Sequence, residues 1–110
     1  CISNDNTKNI INKKILNLIK ENSYIINVAR GDVMNEEPLI TALQQKKIKG
    51  AALDVFLNEP NINKEFKKLD NVLLSPHNAS GTHETRYAMA KLCNENIKNF
   101  FKKKKYFRVL

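Results

Sequence analysis

Four polar residues in the middle of the chain are of types that handle protons and carboxylates: Arg30, Asp54, Glu59 and His77. An unperturbed imidazole has a pKa of about 6.5, so a histidine can give or take a proton near neutral pH. A carboxylate beside it, such as Glu59, would favour the imidazolium and fix the orientation of the ring. Arg30 offers a fork of donors to carboxylate and carbonyl oxygens and stays charged. Together these residues could bind an organic acid and move one proton on its carbonyl or hydroxyl oxygen.

Short β-rich runs precede these polar residues and predict three strands, at residues 24–28, 51–55 and 72–75, the first of them buried. The first strand leads to Arg30, the second to Asp54 with Glu59 just beyond, and the third to His77. Because ligands bind at the carboxyl ends of parallel strands, these side chains are expected to converge on one edge of the sheet. Each could instead be an ordinary turn, capping or loop residue. Their occurrence at three consecutive strand ends favours a site.

Helical patterns alternate with the strands. Residues 12–20 predict a helix with Asn12 as its N-cap and an apolar stripe of Ile11, Ile15, Leu18 and Ile19. A second helix begins after Asn35, has Pro38 in its first turn, and turns inward Leu39, Ile40 and Leu43. A short helical turn is predicted near residues 64–68.

A long final helix is predicted from about residues 80–82 to Phe101. Its predicted inward stripe comprises Met89, Leu92, Cys93, Ile97, Phe100 and Phe101. Cys93 is therefore interpreted as a buried structural thiol.

Alternating strands and helices predict an α/β fold, with a doubly wound parallel sheet and right-handed crossovers. About three strands are few for such a sheet, since parallel strands need cover on both faces. The chain also opens on Cys1 rather than Met. It is therefore expected to be a fragment that lacks the N-terminal half of its domain.

The formal net charge of +8 comes almost entirely from scattered lysines, with a basic tail at about residues 102–110. Aromatic residues do not interleave with the basic ones as a base-stacking surface requires, so nucleic-acid binding is disfavoured. No apolar run approaches the roughly 20 residues that span a bilayer. No Cys/His spacing suits a metal site. A cytoplasmic protein without nucleic-acid or membrane partners is expected.

Three motifs carry a resemblance to a known family. INVARGDV at residues 26–33 resembles the "N-x-A/S-R-G" segment of D-isomer-specific 2-hydroxyacid dehydrogenases, and GAALDVFLNEP at 50–60 is similar to their "G-A-x-L-D-V-F-x-x-E-P". NVLLSPHNAS at 71–80 is similar to "N-V-x-x-x-P-H-x-A/G". GTHETRYAMA at 81–90 is most similar to the glyoxylate/hydroxypyruvate and 2-ketogluconate reductases. The resemblance covers essentially the whole chain.

The resemblance implies an oxidoreductase built on a partial Rossmann-like NAD(P)-binding domain, with residues 1–110 as the C-terminal portion of that domain. It transfers a hydride between NAD(P)H and a small 2-keto or 2-hydroxy acid such as glyoxylate or hydroxypyruvate. Arg30 would bind the substrate, and His77 with Glu59 would act as acid and base. The implied cofactor contacts are Val28, Ala29, Arg30, Asp54, His77, Ala79 and Ser80.

The same resemblance implies a homodimer at full length. The glycine-rich phosphate loop and the ribose-reading position lie upstream in the family and are absent here, so NAD and NADP both stay open. Two other hypotheses for the function of the chain stay open as well. A dinucleotide-sensing, corepressor-like relative could keep the same residues, and an inactive remnant could retain their spacing.

Overall fold

The computed structural model describes residues 2–105. Its helices are α1 (Lys13–Leu16), α2 (Glu36–Gln44) and α3 (His83–Phe101), and its strands are β1 (Tyr24–Asn27), β2 (Gly50–Leu53) and β3 (Val72–Leu74). Two 3-10 turns lie at Gly31–Val33 and Lys64–Lys68, the second where a helical turn is predicted. The chain divides into two compact units, Cys1–Asn78 and Ala79–Leu110.

The three strands are parallel, in the order β1-β2-β3, as the α/β prediction requires. Ile26, Ala52 and Leu73 stand side by side in register. Because side chains alternate across a strand, this row shares one face of the sheet, and the flanking residues share the other. Ile26 is 71% exposed and Leu73 is 68% exposed. The expectation that the first strand is buried is therefore wrong for one of its two faces.

The opposite face of the sheet carries the core of the first unit. Ala51 and Leu53 of β2 are buried there, and α2 packs its predicted stripe of Leu39, Ile40 and Leu43 into the same cluster. A 3-10 turn adds the fully buried Phe66. The apolar stripe of α2 is continuous, so its orientation followed from the sequence.

Helix α1 is shorter than predicted. Asn12 does cap it, since the Asn12 Oδ1 accepts hydrogen bonds from the amides of Lys14 and Ile15. The helix ends at Leu16, which is its one buried residue, whereas Leu18 is 74% exposed. The predicted stripe is wrong at Ile15 and Leu18, which are exposed, whereas Ile11 and Ile19 are partly buried and pack against the core. The error at Leu18 arises because the prediction extended helical periodicity beyond the end of the helix.

The second unit contains α3, which follows Thr82 as its N-cap. The Thr82 Oγ1 accepts a hydrogen bond from the Thr85 amide. No residue of α3 is buried, so the predicted inward stripe is wrong, and Cys93 is exposed rather than buried. Periodicity identified the apolar side of the helix, but it gave no information on what covers that side. Of the predicted basic tail, residues 102–105 are exposed, and 106–110 lie outside the described residues.

Within residues 2–105, no helix is long and apolar enough to cross a membrane.

Candidate active site

His77 and Glu59 form a direct pair at the carboxyl edge of the sheet. The His77 Nδ1 lies 2.7 Å from the Glu59 Oε2, with half of the histidine side chain and a third of the glutamate exposed. Because Nδ1 is engaged by the carboxylate, Nε2 is the ring nitrogen that could meet a substrate. The predicted convergence of these two residues, 18 positions apart, is present in the structure.

The backbone at His77 adopts a left-handed conformation with φ of 53°. Its amide donates a hydrogen bond of 3.0 Å to the carbonyl oxygen of Ser75, across Pro76. Left-handed backbone is uncommon for a residue with a Cβ, and it persists where the surroundings impose it. The tight turn directs His77 away from the line of β3.

Glu59 uses both carboxylate oxygens. While Oε2 faces His77, Oε1 accepts a hydrogen bond of 2.8 Å from the Phe56 amide. The hydrogen bond with His77, and then the one from Phe56, hold the pKa of Glu59 below its ordinary value. Glu59 is therefore an anion at neutral pH, which suits a partner that orients a histidine.

The position of Arg30 is set by hydrogen bonds to the backbone of its turn rather than by contacts of its guanidinium with other elements. The buried Asn27 donates from Nδ2 to the Arg30 carbonyl oxygen at 3.0 Å, and its Oδ1 accepts from the Ala29 amide at 3.1 Å. These two hydrogen bonds shape the turn after β1, as short amide side chains often do. The exposed guanidinium makes a local hydrogen bond of 2.7 Å from Nη1 to the Ala29 carbonyl oxygen.

Gly31 brings the turn after β1 against the loop after β2. A Cβ on Gly31 would lie 2.0 Å from the carbonyl carbon of Phe56 and 2.5 Å from the amide nitrogen of Leu57. Only a glycine allows so close an approach of two backbones. The segments that carry Arg30 and Glu59 are therefore in direct contact.

The three predicted catalytic residues line one open cleft of about 560 Å³. Its lining comprises Ser3, Lys8, Arg30, Gly31, Asp32, Phe56, Leu57, Glu59 and His77. Arg30 and the histidine–carboxylate pair thus line the same space. Within residues 2–105, no group of three or more His, Cys, Asp or Glu side chains could hold a metal ion.

The predicted cofactor contacts divide between the two units. Val28, Ala29 and Asp54 lie at the ends of β1 and β2 in the first unit, and Val28 is 60% exposed. Asp54 is buried, and its Oδ1 accepts a hydrogen bond of 2.8 Å from the Asn78 amide, so it also anchors the turn that follows His77. Ala79 and Ser80 belong to the second unit. Their role toward a cofactor stays a prediction.

Sequence reasoning gave no site role to Asn27, Gly31 or Glu36. Asn27 and Gly31 stand inside the motif that contains Arg30, which was the available signal. Glu36 carries a contact to Leu57 that is 21 positions away, and no local pattern predicts it.

The model of the family described as "D-isomer specific 2-hydroxyacid dehydrogenase, NAD binding domain" matches residues 1–79. The chain belongs to this family. The match covers more than half of the sequence and ends close to Asn78, where the first compact unit ends. The predicted family membership and the partial Rossmann-like fold are confirmed.

Two curated relatives show the extent of the similarity. The chain is 46% identical over 93 residues to the 2-ketogluconate reductase of Gluconobacter oxydans, covering 84% of this chain and 30% of that protein. It is 47% identical over 96 residues to the glyoxylate reductase of Thermococcus litoralis, covering 87% of this chain and 29% of that protein. The chain therefore spans about a third of the length of these relatives.

Solved structures agree with the fold. The NADPH-dependent glyoxylate/hydroxypyruvate reductase of Sinorhizobium meliloti, in complex with NADP and malonate, superposes with a TM-score of 0.83 at 40% identity. That match covers 92% of this chain and 32% of the other. The D-mandelate dehydrogenase of Rhodotorula graminis gives a TM-score of 0.84 at 32% identity, covering 91% and 29%.

Proposed function

We propose that the protein carrying this chain is an NAD(P)-dependent D-2-hydroxyacid dehydrogenase, an oxidoreductase that interconverts a small 2-keto acid and the corresponding 2-hydroxy acid. The observation that supports this most directly is the His77–Glu59 pair of 2.7 Å, in a cleft that it shares with Arg30. Membership of the family agrees with the proposal.

The residues divide the work of reduction between them. Arg30 binds the substrate carboxylate and draws electron density from the neighbouring carbonyl oxygen. His77 gives the proton on Nε2 to that oxygen as the carbonyl becomes an alcohol. Glu59 accepts from Nδ1 and stabilises the imidazolium before the transfer. In the oxidation of a 2-hydroxy acid, His77 takes the proton back.

A reduced nicotinamide, when bound, would supply the hydride that the carbonyl carbon accepts. Val28 suits such a flat ring, because it is an apolar side chain, 60% exposed, at the end of β1 and two positions before Arg30. Ala29 and Asp54 would contact the same group at neighbouring strand ends. Ala79 and Ser80 complete the proposed contacts. Either NAD or NADP fits these residues, since the ribose-reading position is not among them.

The proposed substrates are glyoxylate, hydroxypyruvate or 2-ketogluconate, in keeping with the names of the relatives. We also propose that the full-length enzyme is a homodimer and that it is located in the cytoplasm. Both rest on the resemblance.

The test is the oxidation of NADPH and NADH by the full-length protein that carries this chain, with each of the three acids in turn. His77→Ala should lower kcat by about 10²–10⁴, the usual contribution of a general acid. His83→Ala is the matched control, since His83 is the other histidine of the chain and lies in the first turn of α3. Its kcat should stay near that of the unaltered protein.

Turnover with His77→Ala equal to the control would contradict the role of His77. A folded protein that binds dinucleotide and reduces none of these acids would instead support a sensing, corepressor-like role. A protein that neither binds dinucleotide nor turns over would be an inactive remnant.

A further inference from the structure

The first turn of α2 carries two neighbouring acids with different partners. The Glu36 Oε1 accepts a hydrogen bond of 2.8 Å from the Leu57 amide, and the Glu37 Oε1 accepts one of 3.1 Å from the Asn63 Nδ2. Acids are common at this end of a helix because they complement its dipole. The dipole, however, does not require either carboxylate to bind a distant loop. Glu36 therefore does more than begin a helix.

The loop that Glu36 binds is the one that Glu59 uses. Consecutive amides of this loop go to two different carboxylates, that of Phe56 to Glu59 and that of Leu57 to Glu36. Gly31 lets the turn after β1 rest on the same two residues. The backbone at 56–57 is therefore a shared support, and the carboxylate of Glu59 is fixed relative to it.

From these contacts we infer that Glu36 is a positioning residue of the active site, which holds the 56–59 loop so that Glu59 meets His77. The inference rests on the proposed function. Without the Glu36 carboxylate, the Leu57 amide loses its acceptor, and the hydrogen bond from Phe56 to Glu59 loses the support of its neighbour. A shift of about 1 Å in a positioning group is enough to change a rate substantially.

Other charged groups surround Glu59 and are unchanged in the variants of Glu36. They are His77 and Asp54 at the strand ends, Arg30, Lys8 and Asp32 along the cleft, and Lys67 in an adjoining cavity of about 420 Å³. Removal of the Glu36 anion would by itself lower the pKa of a nearby carboxyl, so a raised pKa of Glu59 would report a change in its geometry.

The experiment compares Glu36→Ala, Glu36→Gln and Glu37→Ala in the full-length protein that carries this chain. Glu36→Ala should lower kcat/KM about tenfold, the effect of losing one hydrogen bond to a charged acceptor. It should also move the acid limb of the pH profile to higher pH, because a weaker bond from Phe56 allows Glu59 to take a proton more easily. Glu36→Gln keeps an oxygen that can accept the hydrogen bond from Leu57, so this variant should retain most of the activity that Glu36→Ala loses. Glu37→Ala removes the neighbouring charge from the same helix end and should leave both readouts unchanged.

Equal effects of Glu36→Ala and Glu37→Ala would overturn the inference, since both would then reflect the helix end. The ¹³C NMR titration of the Glu59 carboxyl is a second readout that needs no turnover. If the unaltered protein reduces no 2-keto acid, the proposed function fails, while a raised pKa of Glu59 in Glu36→Ala alone would still support the positioning role. An unchanged titration would refute it.

Discussion

Substitution of Gly31 by alanine would place a methyl group where the backbone of the loop after β2 lies. The added Cβ would stand 2.0 Å from the carbonyl carbon of Phe56 and 2.1 Å from its oxygen. Carbon atoms in contact are about 3.5 Å apart or more, so the two segments must separate by roughly 1.5 Å. The obstructing atoms are backbone and cannot rotate away. We expect the free energy of unfolding to fall by about 3 kcal/mol, at the upper end for an overpacked site.

The same displacement separates the turn of Arg30 from the loop of Glu59. A misplacement of about 1 Å can cost roughly a hundredfold in rate, so kcat/KM should fall by about that factor. Chemical denaturation measures the first effect, and the 2-keto acid assay on the folded fraction measures the second.

Gly50→Ala is the matched control. Its Cβ would approach the Asn71 carbonyl oxygen to 2.7 Å and the Tyr24 ring to 3.2 Å, a smaller overlap at the start of β2. It should cost about 1 kcal/mol and leave kcat/KM unchanged. If Gly31→Ala were no more destabilising than Gly50→Ala, the contact between the two loops would not be the reason for a glycine at position 31.

Three further expectations follow from single contacts. Phe66→Ala should lower the free energy of unfolding by about 3–5 kcal/mol, because this fully buried ring packs against Phe56 with ring centroids 6.2 Å apart. Denaturant titration measures this loss, and a loss under about 1 kcal/mol would contradict the packing. Because the pKa of Glu59 is lowered in the folded state, its ionised form contributes stability that is complete above pH 4.5 and is lost as pH falls through the lowered pKa. Glu59→Gln should therefore flatten the dependence of the free energy of unfolding on pH in that window. Parallel curves for the variant and the unaltered protein would contradict the assignment. Asn27→Ala removes both side-chain hydrogen bonds that shape the turn at Arg30. It should raise KM for the 2-keto acid more than it lowers kcat, as steady-state kinetics would measure. An unchanged KM would show that the turn keeps its shape without these hydrogen bonds.

Much of the site was predictable because a parallel sheet gathers distant residues by a general rule. The strand ends brought Arg30, Glu59 and His77 to one cleft, as the order of strands and helices indicated. The supporting contacts were not predictable in the same way. The bond from Leu57 to Glu36 depends on the path of two loops, and no local propensity encodes it.

The helices show where periodicity succeeds and where it fails. For α2, the stripe of Leu39, Ile40 and Leu43 is continuous and faces a sheet, so its buried side was predicted correctly. For α1, the helix ended at Leu16, and the extrapolated Leu18 lies in solvent. For α3, the pattern identified an apolar side, but burial also depends on a neighbouring layer.

The open face of the sheet has a practical consequence for handling this chain. Tyr24 and Ile26 of β1 and Leu73 of β3 expose their side chains on the same face, on either side of β2, at 62%, 71% and 68% respectively. An exposed apolar patch on one face of a β-sheet promotes self-association. We expect the 110-residue chain, expressed by itself, to accumulate in inclusion bodies and, once solubilised, to bind hydrophobic dyes such as ANS. Charged substitutions at position 26 would then improve its recovery without altering Arg30, Glu59 or His77 of the candidate site.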